Sequence, residues 1–130
     1  MVNTFRVKQD TAAIDTATLK DETGAAIPLA SLTAITLTLF NADVPEPSPL
    51  TANIINGRNE QDVKNTNNVT IHATSGLLTW NMQSADNPII DERFNTELHI
   101  ARFDFFYGSP TKQGAHEVRF RVENLRKVSS

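Results

Sequence analysis

At 130 residues, the chain is sized for one domain that buries close to ~70% of the surface its unfolded form exposes. The absence of cysteine excludes disulfides, thiolate zinc sites and thiol catalysis. A formal charge of −3 disfavours general binding to nucleic-acid phosphates, which calls for a basic excess.

The first ten residues, MVNTFRVKQD, lack the apolar core of a signal peptide. No run in the chain approaches the ~18 apolar residues that span a bilayer, so a soluble chain with no membrane partner is expected. Residues 1–10 read as an N-terminal arm with Phe5 and Val7 at alternate positions. Such an arm either adds a strand to a neighbouring subunit or frays. Residues 11–126 read as one domain, and residues 127–130 as a tail.

Within the domain, period-two alternation of β-branched and aromatic residues predicts strands near residues 12–19, 34–40, 69–72, 77–82, 98–107 and 117–124. TAITLTLFN puts Ile35, Leu37 and Leu39 on one face, and GLLTWNM groups Leu78, Trp80 and Met82. HEVRFRVEN sets Val118, Phe120 and Val122 against an outward row of Glu117, Arg119, Arg121 and Glu123. Turn signals such as KDETGAAIP separate the strands, and the prolines at 45, 47 and 49 mark an extended loop. In INGRNEQDVKNTNNVTI, the Asn-Gly pair gives a turn and RNEQDVKN is expected to form one helical turn with Val63 inward. The segment is longer than a hairpin requires, which makes Arg58, Glu60 and Asp62 candidates for a contact loop. TELHIARFDFFYG has two parities. It is covered on both faces or reset by a bulge near Ala101; with the aromatic parity facing the core, Leu98, Ile100 and Phe106 lie outward, either as a candidate interface or beneath a loop folded over that face. These elements predict an all-β protein, a sandwich or barrel.

No residue pattern announces chemistry. Ser75 sits in a turn, not in a G-x-S-x-G elbow. His72, His99 and His116 lack metal-ligand spacing; His72 and His116 are expected at exposed positions and His99 half-buried in a hydrogen bond. Asp91 and Glu92 are adjacent loop acids, unlike a glycosidase pair. Trp80 is in phase with Leu78 and Met82 and reads as core. The other reading makes it part of a carbohydrate-binding or adhesion module with the loop at residues 65–68. Asn68-Val69-Thr70 is a glycosylation acceptor only in a secretory pathway. The mixed row from Glu117 to Glu123 is either a solvated face or a strip that fixes register against a neighbour.

ATLKDETGAAIPLASLTAITLTL resembles the opening of the small β-sandwich at the N-terminus of upper baseplate proteins of tailed bacteriophages. SGLLTWNMQSADN resembles that family's Gly-initiated strand and short Asp-containing turn. ELHIARFDFFYGSPTKQGAHEVRFRVENL resembles its paired closing strands. The resemblance spans roughly residues 12–125 and departs from the pattern in its long Pro-rich and Asn-rich insertion. It implies a single immunoglobulin-like antiparallel β-sandwich and a non-enzymatic virion structural protein without cofactors, assembled in the cytoplasm of a bacterial host. Its partners would be other copies of itself and other virion proteins: portal, tail, baseplate or capsid subunits. It would serve as an adaptor or reinforcing subunit of the neck, tail or baseplate, or as a capsid decoration.

Overall fold

A computed structural model of the chain describes residues 4–43, 53–89 and 95–124. The strands are β1 (Thr4–Lys8), β2 (Ala13–Thr18), β3 (Leu32–Asn41), β4 (Gln61–Asp62), β5 (Val69–Ile71), β6 (Leu77–Met82), β7 (Thr96–Tyr107) and β8 (Lys112–Glu123). Single 3-10 turns occupy Leu29–Ser31 and Ser84–Asp86. The strands form a larger sheet in the order β1-β8-β7-β3-β4 and a smaller one in the order β2-β6-β5. The two sheets pack face to face and the protein is mostly β.

Alternation explains the packing. Ile35, Leu37 and Leu39 of β3 stand opposite Phe105, Phe103 and Ala101 of β7, and all are buried. Leu78, Trp80 and Met82 of β6 meet them from the other sheet. Trp80 sets its indole edge-on to Phe103 at 5.7 Å and to Phe120 at 6.1 Å between ring centroids. Each such aromatic pair adds about 0.5–1.5 kcal/mol beyond its buried area. Gly114 lies opposite Phe105; a Cβ there would stand 2.5 Å from the Phe105 ring, so the missing side chain makes room for the aromatic one.

The structure differs from the sequence reading at several points. The segment read as an arm is β1, which runs parallel to β8 with Phe5 opposite Phe120 and Val7 opposite Val122. The larger sheet is therefore not wholly antiparallel. Burial of Phe5 and Val7 drives this pairing, and Phe5 stacks on Phe120 at 5.3 Å. RNEQDVKN makes no helical turn: Gln61 and Asp62 extend as β4 beside Leu37 and Thr36, while Val63 is buried as expected. There is no bulge near Ala101, since β7 and β8 stay in register from Thr96↔Glu123 to Tyr107↔Lys112. The irregularity lies instead between Leu32 and Ala34. β8 begins at Lys112, five residues before the alternation becomes clean. The proline loop, the Asp91–Glu92 pair and the tail at residues 127–130 lie outside the described residues.

Candidate functional site

Three groups of polar side chains could carry function, and two of them are sealed inside the fold. The first centres on Arg58, which is 2% exposed. Its Nε donates to Asp86 Oδ1 at 2.5 Å and its Nη2 to Asp86 Oδ2 at 3.0 Å. Nη1 donates to Gln61 Oε1 (2.8 Å) and the Asn67 carbonyl (3.0 Å), and Nη2 also reaches Asn68 Oδ1 (3.1 Å). Asp86 accepts further from Asn56 Nδ2 and the Gln83 amide, both at 2.8 Å. The guanidinium also lies 6.0 Å from the Trp80 ring centroid. A buried ion pair stands only when its remaining donors and acceptors are satisfied, and here the Asn-rich loop satisfies them. Asn56, Asn65, Asn67 and Asn68 all have positive φ, a conformation asparagine tolerates better than most residues. Asn65 Oδ1 also takes the Ile71 amide at 2.6 Å. The loop wraps its own arginine.

The second group is Glu97 with His99, both fully buried on the inner face of β7. His99 Nε2 and Glu97 Oε1 are 2.7 Å apart, and the imidazole packs edge-on to Phe120 at 5.6 Å. His99 is thus buried outright, not half-buried. Its Nδ1 has no hydrogen-bond partner among the described residues.

The third group lies at the side of the sandwich where β2 ends the smaller sheet and, among the described residues, β1 does not reach the N-terminal half of β8. Asp15 and His116 face each other electrostatically across this seam. Desolvation raises the Asp15 carboxyl above the ordinary carboxylate value, opposed by the charge of His116 and by a hydrogen bond from the Thr16 backbone. Asp15 Oδ2 is buried without a hydrogen bond among the described residues. His116 is half-buried and stacks near Phe103, so its expected exposed position is corrected. A shallow cavity of about 540 Å³ adjoins the start of β2, lined by Ala12, Ala13, Ile14, Asn81, Met82 and Gln83. At the other end of the strand, a 280 Å³ cleft lies beside Glu22, Tyr107 and Lys112. Lys112 binds Glu22 directly, and this hydrogen bond lowers the glutamate pKa and raises that of the lysine.

No protein-family model matches the chain, and no curated protein matches it significantly.

The residues singled out from sequence fall in different places. Arg58 is not a surface contact but the hub of a buried network. Phe5 and Val7 face inward within their own sheet. Glu60 and Asp62 are exposed at the β4 edge, where the Asp62 carboxylate accepts the Lys64 amide and its carbonyl accepts Asn67 Nδ2. Only the outer face of β7 and β8 gathers several of them: Leu98 lies opposite Arg121, Ile100 opposite Arg119 and Arg102 opposite Glu117. Arg119 is held by Glu117 at 2.6 Å, and Arg121 reaches Asp43 at 3.4 Å. Glu123 pairs across from Lys8, and Phe106 stands apart, opposite Gln113. Ile100 is buried opposite Phe40, which also bridges Ile54. Trp80 has no exposed surface and offers no ring face to a sugar.

Sequence reasoning missed the seam. The alternation Ala13, Asp15, Ala17, Leu19 would have revealed it, because buried Leu19 sets the parity and turns Ile14 outward. Among the described residues, no three His, Cys, Asp or Glu side chains gather to hold a metal.

Proposed function

We propose that this chain is a non-enzymatic structural subunit of a tailed-bacteriophage particle. It is an immunoglobulin-like β-sandwich that joins or reinforces neighbours in the neck, tail or baseplate, or on the capsid surface. The strand order carries the architectural part. The series β2-β6-β5 against β1-β8-β7-β3-β4 is compatible with an immunoglobulin sandwich whose CFG sheet gains two strands, β4 beside β3 and the parallel β1 beside β8. The phage part of the reading rests on the resemblance of residues 12–125 to the small sandwich of upper baseplate proteins. The disposition of charge supports the assembly part. Arg58–Asp86 and Glu97–His99 are spent inside the fold, whereas the mixed charges Glu117, Arg119, Arg121 and Glu123 stay on the outer face of β8. As in other sandwich modules, the fold alone would not fix the function.

The test is location. Antibody against the full chain should label purified particles at one symmetric position in electron micrographs, and the protein should co-sediment with them. Its absence from particles of the virus that encodes it would overturn the reading.

A further inference from the structure

The smaller sheet ends in a strand with an open edge. No described strand pairs with the outer side of β2. The Leu19 amide bonds the Gly76 carbonyl at 2.9 Å, and the register runs from Ala13↔Met82 to Thr18↔Leu77. Antiparallel pairs alternate between bonded and non-bonded, so odd-numbered residues bond β6, while Ile14, Thr16 and Thr18 turn their N–H and C=O groups toward the free edge. All three side chains are exposed, Ile14 at 70%, and all three are β-branched and uncharged. The face continues across β6 and β5 as Leu77, Thr79, Asn81 and Thr70, again without a charge. Proteins guard such edges with lysine, proline or a bulge. β2 has none of these on its outer face, and its one charge, Asp15, points into the seam.

We propose that β2 is the contact for a second copy of this chain, the two strands pairing antiparallel about a two-fold axis at Thr16. The registers available to a self-pairing β2 are few. Centring on Asp15 sets two carboxylates directly opposite each other, which is unfavourable, and centring on Ala17 shortens the overlap. Centring on Thr16 places Ile14 opposite Thr18 of the second copy, Thr16 opposite Thr16, and Asp15 opposite the small Ala17. Every free N–H and C=O of Ile14, Thr16 and Thr18 then finds a partner, and two three-stranded sheets become one.

Among the described residues, β1 covers β8 from Arg119 to Glu123, and no described strand lies against Lys112 to Val118 on the β2 side. One strand pair alone covers less than the ~800 Å² per partner of a standard interface, which puts this dimer at the weak end of specific association. The pairing stands whether or not the chain belongs to a particle.

Sedimentation velocity of the full chain, from micromolar to millimolar concentration, tests it. The wild type should pass from monomer to dimer. Thr16→Lys opposes two like charges at the axis, and Thr16→Pro removes an N–H that faces solvent in the monomer, where an edge strand tolerates proline. Each should weaken the dimer on the order of tenfold or more, while Thr70→Lys, on the far edge strand, leaves it unchanged. Hydrogen exchange of the wild type adds a readout that needs no variant: the Ile14, Thr16 and Thr18 amides should slow as concentration rises. A chain that stays monomeric throughout overturns the proposal, as does a dimer indifferent to both Thr16 changes in folded variants. Exchange at those three amides that ignores concentration overturns it too.

Discussion

Arg58 and Asp15 show what a single charge costs in this fold and what can offset it. Arg58 is enclosed, yet Asp86, Gln61, Asn67 and Asn68 take its donors. Arg58→Met therefore strands Asp86 as an uncompensated buried charge and should cost about 3–5 kcal/mol in chemical denaturation, with much of that recovered in a double variant that also makes Asp86 apolar. Asp15 is the opposite case, half-buried with one oxygen unpartnered. Because desolvation raises its folded-state pKa above the unfolded value, the folded state holds the proton more tightly. The penalty is absent below the unfolded pKa and grows as pH climbs through the folded one. Asp15→Asn should thus stabilise the monomer at neutral pH, by less than about 1 kcal/mol because water screens a half-exposed carboxylate. Melting curves at dilution should show the gain vanish on acidification below the unfolded pKa. A gain independent of pH would mean that the carboxylate charge is not its source.

The strands themselves divide into those the sequence announces and those that tertiary context makes. Phe120 sits in the clean alternation of β8 and touches Phe5, Trp80 and His99, so Phe120→Ala should cost about 3–5 kcal/mol. Phe5→Ala, on the partly buried β1, should cost about 1–2 kcal/mol. Equilibrium unfolding distinguishes this from a free arm, for which the Phe5 change would leave stability untouched. The core strands β3, β6, β7 and β8 were legible because large apolar residues recur every second position on one face. β1 was not, because Phe5 and Val7 alone are too short a pattern to say whether they pair within the chain or with a neighbour. β2 was found, but its Ile14 is the more apolar residue and it faces out, contrary to what hydrophobicity alone suggests. The Asn-rich loop hid its purpose for another reason. Its partner Asp86 lies 28 residues from Arg58, and no local periodicity reports a contact of that range.

At the level of the whole molecule, the two outer faces have opposite character, and this separates two kinds of contact. The smaller sheet presents Ile14, Thr16, Thr18, Thr79 and Leu77 without a charge. The larger sheet presents Arg6, Arg119, Arg121, Glu117 and Glu123. Arg6 and Arg121 are direct register partners, a like-charge pair that Asp43 offsets in part, 3.4 Å from Arg121, and that a further acidic neighbour would relieve. Charged faces select partners and fix register through long-range fields, whereas strand edges associate through backbone groups that salt barely screens. If the charged face is where the chain meets the rest of a particle, reversing Arg119 and Arg121 to glutamate should leave the fold and the β2 pairing intact. It should weaken incorporation into particles, and the wild-type interaction should itself decline as ionic strength rises. Sedimentation of the double variant, run beside a particle-binding assay at low and high salt, reads both properties on one protein. Particle binding that survives both the charge reversal and high salt would remove β8 from the interface and move the contact to another surface.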